Sequence, residues 1–384
     1  MARLGDICIQ ITDGSHNPPA SVGESKYLML SSKNIDDDCI TLNDPRYLSK
    51  DDFDTENKRT NVEPDDLLMT IVGTIGRVAI VPNEFTKICV QRSVAVLKPK
   101  SDIVYNRFLM YHLQNMRPRL ERESRGVAQK GIYLKQIGNL TIYLPPLDEQ
   151  RKIAAVLDKV SDLIAKRRQQ LDKLDEMVKA KFVEMFGDEH QFDKWNCISV
   201  GDIAEICVGV VIKPTQYYTD NSGIPAFRSL NIGAMTIKNT DWVYFTKEGH
   251  EKNKKSIVRE NDVLVVRSGA PGTACVVTKE FAGYNAVDII IAHPNIEKIN
   301  PFFLAMFTNM PHGMNQIREK TGGAAQQHFN VGGYKSLNVI LPPIELQNQF
   351  AAFVEQTEKS KTTISRSLEK LETLKKALMQ EYFG

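Results

Sequence analysis

From Leu147 to Phe186 the chain contains neither proline nor glycine, while Pro145 and Pro146 stand just before this run and Gly187 just after it. Apolar side chains recur at Ile153, Leu157, Val160, Ile164, Leu171, Leu174, Val178 and Met185, in steps of three and four, with Arg167 and Lys181 filling the two gaps. That pattern is the seam of a long helix that packs on one partner helix. Proline is excluded from a helix interior but suits its start, so the proline pair marks the beginning. Asp148 and Glu149 put negative charge in the first turn, where the helix dipole favours it. Gly187 is a natural residue just past the last turn.

The run occurs twice. Leu341-Pro342-Pro343-Ile344-Glu345-Leu346-Gln347 opens a second one, which Phe383-Gly384 closes. Leu144 and Leu341, like Gly187 and Gly384, stand 197 residues apart. The correspondence continues upstream. Leu4-Gly5-Asp6-Ile7 matches Val200-Gly201-Asp202-Ile203, and Ser32, Asn34 and Ile35 match Ser229, Asn231 and Ile232. Gly73-x-x-Gly76 matches Gly269-x-x-Gly272. A repeat this long makes the chain two copies of one unit, a strand-rich globule followed by a helix. Within the globules the patterns predict a buried strand before each Gly-x-x-Gly turn and one strand over 88–97. Amphipathic helices are expected over 106–116 and 301–310, followed by polar loops at 122–130 and 318–327.

The expected fold is therefore α+β, with two tandem mixed β-rich domains, each followed by a long α-helix, in a pseudo-two-fold internal repeat. The expected boundaries are 1–147 for the first globule and 148–187 for the first helix. The second globule takes 188–344, including a short polar link at 188–196, and the second helix takes 345–384. A single helix with an apolar seam is marginal in water, so the two are expected to pair as an antiparallel coiled coil. Its expected interface is Leu157, Val160, Ile164, Leu171, Leu174 and Val178 on the first helix, and Val354, Ile364, Leu368, Leu371 and Leu378 on the second. The second seam is poorer, because Thr357, Lys361 and Lys375 stand where the first has Val160, Ile164 and Val178. That leaves apolar surface for a further partner, such as another subunit.

A length of 384 residues implies two domains or more, and an apolar content of 42% suffices for packed cores. The net charge of +2 means that any nucleic-acid surface is local. The six cysteines form no Cys-x-x-Cys pair and read as reduced thiols of a cytoplasmic protein. No run approaches the ~18 apolar residues of a membrane span, and the N-terminus reads as folded sequence with no signal peptide.

Chemical motifs are few. Asn17-Pro18-Pro19 is followed by Ala20, not by the aromatic residue that an amino-methyltransferase uses to stack a flipped base, so it reads as a rigid loop. The Gly-x-x-Gly elements lie between strands and read as tight hairpins more readily than as phosphate cradles. The seven histidines have no metal-ligand spacing, and Asp36-Asp37-Asp38 reads as a solvated turn. No catalytic residue and no metal ligand are expected. The loops Ser124–Lys130 and Lys320–His328 are rich in Gly, Gln, Lys and Arg. Such side chains read base edges, although a solvated loop has the same composition.

Several features together resemble the DNA-specificity subunit of type I restriction–modification systems, over the whole chain. They are the two Leu-Pro-Pro-(Leu/Ile)-x-x-Gln helix starts, the Gly-Asp-Ile starts, the Asp13-Gly14-x-His16 loop, the Ser-x-Asn-Ile pair and the Gly-x-x-Gly hairpins. The resemblance implies that each globule is a target-recognition domain reading one half of a bipartite, asymmetric site on double-stranded DNA. The paired helices would be a spacer and a dock for two methyltransferase subunits, with restriction subunits joining the complex. It implies no catalysis and no cofactor in this chain. S-adenosylmethionine would belong to the methyltransferase subunits, ATP and magnesium to the restriction subunit, and the complex to the cytoplasm. Base readout would then fall where the exposed loops of the two halves differ. The candidates are Ser15, His16, Asn17, Lys33, Arg77, Arg125, Gln129 and Lys130 in the first half, and Lys213, Arg228, Arg267, Gln326, Gln327 and His328 in the second. Two other classes stay open: a coiled-coil scaffold that joins protein partners without DNA readout, and a free-standing nuclease or methyltransferase.

Overall fold

The computed structural model describes residues 1–124, 131–321 and 328–384. Residues Met1–Arg168 with Arg366–Gly384 form one compact unit, and Gln169–Ser365 form the other. The division falls inside the long helices and not at their starts, unlike the expected boundaries. The physical reason is that helix residues are built into the globule cores. In the first unit Ile153, Ala154 and Leu157 share a core with Phe108, Leu109 and Met379. In the second, Phe182 and Phe186 share one with Phe303, Phe350 and Val354.

Each unit is built on a four-stranded sheet and a smaller sheet, and the strands common to the two units follow the same order. In the first, Cys8–Asp13, Val94–Pro99, Leu67–Thr70 and Val78–Ile80 lie side by side, antiparallel throughout. A smaller sheet orders Arg46–Leu48, Tyr27–Leu30 and Ile88–Val90, the last pair parallel. In the second unit the larger sheet is Ala204–Val208, Ile289–Pro294, Val263–Val266 and Ala274–Val276. Its smaller sheet is Tyr218–Thr219, Val243–Phe245, Ile224–Phe227 and Asn285–Ala286, again with the last pair parallel. The expected single strand over 88–97 is thus two strands in two sheets. The turn between them is held from outside: Gln91 N–H donates to the Leu30 carbonyl, and the Ser93 carbonyl accepts from Ile71 N–H.

Two further expectations are corrected. The helices Arg117–Glu123 and Pro311–Lys320 occupy the start of what read as polar loops. The link at 188–196 is a 3-10 turn over Glu189–Lys194, and its Phe192 is buried in the core of the second unit with Trp195 packed beside it. Those two aromatic rings make the segment part of the globule.

The long helices run Leu147–Phe186 and Ile344–Phe383, 40 residues each. Each starts beside the strand pair that closes its globule, Ala2–Arg3 with Thr141–Ile142 and Cys197–Ser199 with Asn338–Ile340. The Pro-Pro-x-x-x-Gln start has a specific job there. Gln150 is fully buried; its carboxamide oxygen accepts Tyr105 N–H at 2.8 Å and its nitrogen donates to the Pro145 carbonyl at 2.8 Å. Gln347 makes the same bonds to Asn300 N–H and the Pro342 carbonyl, both 2.8 Å. One side chain thereby satisfies the carbonyl that the prolines strand and ties the helix to the globule.

Within each unit the helix segments pack antiparallel. In the first, Arg168 pairs with Glu372 at 2.7 Å while Leu157 lies in one core with Met379. In the second, Asp175 pairs with Lys361 at 2.8 Å, and the rings of Phe182 and Phe350 are 5.6 Å apart. Leu157, Val160, Ile164, Val178 and Val354 are buried, while Leu171, Leu174, Ile364, Leu368, Leu371 and Leu378 are half-buried. The polar residues of the second seam have partners: Thr357 donates to the Phe353 carbonyl, Lys361 meets Asp175 and Glu358, and Lys375 meets Asp38. Among the described residues no helix is long and apolar enough to cross a membrane.

Candidate nucleic-acid interface

The residues that the two halves share are struts. Asn34 is buried; its side-chain oxygen accepts Ser31 N–H, and its nitrogen donates to the carbonyls of Thr41 and Asn43. Asn231 repeats the set with Arg228 N–H and the carbonyls of Lys238 and Thr240. Gly76 and Gly272 have φ of +81° and +93°, a region that side chains avoid, and a Cβ there would press on Arg117 or Ile317. These are hairpin glycines.

Around the struts, several loops converge at one end of the first globule. Ser15 N–H donates to the Val90 carbonyl, Arg92 N–H donates to the Ser15 carbonyl, and Ser32 N–H donates to Ser93 Oγ. This brings together Ser15, His16 and Asn17, the turn carrying Lys33, and Arg92. Buried Asp13 fixes the rim: one carboxylate oxygen takes His16 Nε2 at 2.8 Å and the other takes Arg59 at 2.7 Å. His16, Asn17 and Arg92 are exposed. Lys33 is exposed and pairs with exposed Asp44.

The Arg77 guanidinium bonds Asp36 at 2.7 Å and is a third exposed, so Arg77 is held in place by Asp36. Asp36-Asp37-Asp38 is a solvent-facing turn in which each carboxylate also has a cationic partner: Arg77 for Asp36, Arg117 for Asp37, and Lys375 for Asp38. Arg77 and Arg117 line one cavity of about 410 Å³ beside the Gly73 hairpin.

The second globule brings the matching backbone together. Asp288 N–H donates to the Val210 carbonyl, as Arg92 does to Ser15, and Ser268 bridges to His328 as Val72 does to Gly131. The side chains differ. At the places of Ser15, His16, Asn17 and Lys33 stand Val210, Val211, Ile212 and Leu230. Ile212 is 79% exposed and Leu230 61%. Arg267 is corrected from a base reader to a buried strut. It is 8% exposed, and its guanidinium bonds Asp288 at 2.6 Å, the Phe329 carbonyl at 3.2 Å and His328 Nε2. Because Arg267 can only donate, His328 Nε2 must accept, and its Nδ1–H then points at Ser268 Oγ 2.8 Å away. A histidine in that tautomer orients the serine and does not take its proton. Arg228 is half-buried and donates to the Asp241 carbonyl. Lys213 is exposed, at φ +44°, heading the turn Pro214–Tyr217.

Arg125, Gln129, Lys130, Gln326 and Gln327 lie outside the described residues. Arg92, Ile212 and Leu230 were missed as rim residues. Arg92 lies within the segment 88–97 that read as one continuous strand, and polar or charged side chains were the ones sought as readers. Among the described residues no group of three or more His, Cys, Asp or Glu is placed to hold a metal ion.

A duplicated α+β subunit with shared struts and unlike rims is a two-headed recognition protein in form. Residues 18–175 and 193–375 match the type I restriction modification DNA specificity domain, and the chain belongs to that family. It is 37% identical to the Escherichia coli EcoBI specificity subunit over 121 residues, 31% of this chain. It is 21% identical over 350 residues to the MjaVIII specificity subunit of Methanocaldococcus jannaschii, 84% of this chain and 79% of that one. The chain spans about a quarter of the length of the two relatives it matches at over 30% identity, 27% and 25%. The S subunit of the type I restriction–modification system of M. genitalium has the same fold, with a TM-score of 0.60 at 14% identity, over 100% of this chain and 95% of that one. A chain from a type I R-M system studied for its complex assembly and conformational transition aligns with a TM-score of 0.54, 16% identity, and 99% and 96% coverage.

Proposed function

We propose that this chain is the non-catalytic DNA-reading subunit of a type I restriction–modification complex in the cytoplasm, and that it reads a bipartite, asymmetric site on double-stranded DNA. The observation that carries the reading is the pair of rims: one backbone arrangement carries His16, Asn17, Lys33 and Arg92 in the first globule and Val211, Ile212, Leu230 and Asp288 in the second. Polar donors and cations suit base edges and phosphates, while exposed aliphatic side chains suit thymine methyl groups. Two unlike rims imply two unlike half-sites. The paired helices serve as spacer and as dock for two methyltransferase subunits, which bring S-adenosylmethionine. Restriction subunits bring ATP, magnesium and cleavage.

The test is a methylome. Co-expression with the neighbouring methyltransferase subunit should produce a new two-part modified motif, interrupted by unspecified bases and absent without this chain. A palindromic motif, or a motif unchanged when this chain is omitted, would refute the reading. A scaffold that never touches DNA would show no duplex binding, whereas a DNA reader binds duplex with an affinity that falls steeply as salt rises.

A further inference from the structure

One constellation in the second unit lies outside the rim. Cys207, on the strand Ala204–Val208, is half-buried, and its sulfur lies 3.8 Å from His293 Nε2. The other ring nitrogen, His293 Nδ1, lies 2.5 Å from Asp262 Oδ1, and Asp262 is almost fully buried. Asp262 is anchored in turn by Arg259 N–H at 2.6 Å. A thiol, an imidazole and a buried carboxylate thus stand in line, each in reach of the next. This is the order in which a nucleophilic sulfur is set up by a base that a third group orients.

The first unit shows which part is scaffold. There Lys98 fills the place of His293 and bonds Asp66, the counterpart of Asp262, at 2.6 Å. Thr12 fills the place of Cys207. A cation on a buried carboxylate is therefore what the fold requires. The imidazole and the thiol are added in the second unit alone, and a histidine supplies something a lysine lacks, a second nitrogen that reaches the sulfur while the first holds Asp262. The hydrogen bonds to Asp262, then to Cys207, push His293 up to about 9. A base of that strength holds a proton at neutral pH. The residues that follow Cys207 on its strand, Val208–Val210, line a cleft of about 400 Å³ with Glu251, Lys252, Lys254 and Lys255, of which Lys252 is paired with Glu248 and Lys254 with Glu251. The Cys207 S–H lies 3.4 Å from the Lys255 carbonyl.

We propose that Cys207 is a reactive thiol, set up by His293 and Asp262, that exchanges with small carboxylate-bearing disulfides and takes a mixed disulfide at this cleft. The Cys207 sulfur attacks one sulfur of R–S–S–R, its own proton passing to water while the Nε2–H of the His293 imidazolium donates to the sulfur. The Cys207–S–S–R bond forms, the R–S–S–R bond breaks, and the departing thiolate takes a proton from water and leaves as R–SH. Cys207 is oxidised and the released sulfur is reduced, so electrons balance without another reagent. Lys255 of the cleft complements a carboxylate of R.

The chain carries its own controls. Cys197 and Cys39 are exposed, and Cys8, Cys89 and Cys275 are buried. Burial and then Asp36, Asp38 and Asp37 push the Cys39 thiol up. The full chain is exposed to excess glutathione disulfide at neutral pH, and the mixed disulfide at each cysteine is followed in time by peptide mass spectrometry. Cys207 should react at least tenfold faster than Cys197 and Cys39. His293→Lys restores the Lys–Asp pair of the first unit and so preserves the fold, but its single nitrogen, held on Asp262, leaves no N–H for the sulfur; it should lower the Cys207 rate to that of Cys197 and leave Cys197 unchanged. A Cys207 rate no higher than that of Cys197 in the unaltered chain overturns the proposal, as does an unchanged Cys207 rate in His293→Lys.

Discussion

The two units dock the helices at equivalent positions with opposite chemistry. In the first, Asp158 of the helix bonds Arg107 and the Tyr111 hydroxyl at 2.7 Å each, and Lys375 meets Asp38 while lying 5.3 Å over the Tyr111 ring. In the second, Phe302, Met306, Met235 and Val178 stand at the places of Arg107, Tyr111, Asp38 and Lys375. Phe182, Phe186, Phe303 and Phe350 pack there as one aromatic cluster. One backbone thus accepts a polar or an apolar dock. The difference also sorts the helix ends. Val178 against Asp38 would leave a carboxylate without its ammonium, and Lys375 against Met235 would bury an ammonium among apolar groups. Either mismatch is unfavourable, so each helix end favours its own globule.

The largest effect should come from the apolar dock. Phe186 is fully buried, so Phe186→Ala should destabilise the second unit by about 3–5 kcal/mol in denaturant unfolding. Its counterpart Phe383 is only half-buried, and Phe383→Ala should lower the stability of the first unit by roughly half as much. Equal losses would mean that the two docks are energetically alike and that the contrast is one of composition only.

Asp158→Ala comes next, at about 1–3 kcal/mol, because Arg107 and the Tyr111 hydroxyl lose their shared acceptor. This loss should shrink as salt rises, whereas that of Phe186→Ala should not. Salt-independent behaviour of both would remove the electrostatic half of the comparison.

The units should also respond to pH with opposite sign. His112, in the first unit, is pulled below its usual value by burial, and its Nε2 accepts Tyr143 N–H. A histidine held neutral contributes stability above its unfolded value, about 6.5, that is lost as pH falls through the lower folded value. His293, in the second unit, is held up to about 9. Its contribution is complete below about 6.5 and is lost as pH rises through about 9. Acid should therefore weaken the first unit and mild alkali the second. His112→Phe, the residue found at Phe307, should abolish the acid response in a melting series and leave the alkaline one. If one variant altered both, the two titrations would not be separable by unit.

The sequence comparison of the halves explains what could be read and what could not. The helix seams, the Pro-Pro starts and the repeat were legible, because helix periodicity and proline sterics are local. Asn34 and Asn231 were recognisable as shared positions, and their capping geometry agrees with their types. Arg267 was misread, because a cation on a strand looks exposed until its partners are known. Its place in the repeat is that of Ile71, a core position, and that correspondence was the available signal. The partners of Asp36, Asp37 and Asp38 lie 41, 80 and 337 residues away, beyond any local pattern.

The smallest expected effect is also the most direct test of the sorting argument. Lys375→Val gives the second helix the residue that the first helix carries at Val178. The Lys375 and Asp38 side chains are 21% and 27% exposed, so their pair is neither a surface bridge nor a fully buried one. Removing the ammonium loses the ion pair and the contact over the Tyr111 ring but adds apolar surface to a helix seam. Losses and gain nearly offset, and a net destabilisation of about 1 kcal/mol is expected. Asp38→Met, the residue of the second unit, should then restore most of it when combined with Lys375→Val, because an apolar pair replaces a charged pair at positions where the second unit already tolerates one. A double variant weaker than the sum of its singles would mean that the rest of the first dock, through Asp158 and Tyr111, has become committed to charge at this position, and that the two docks are not interchangeable one pair at a time.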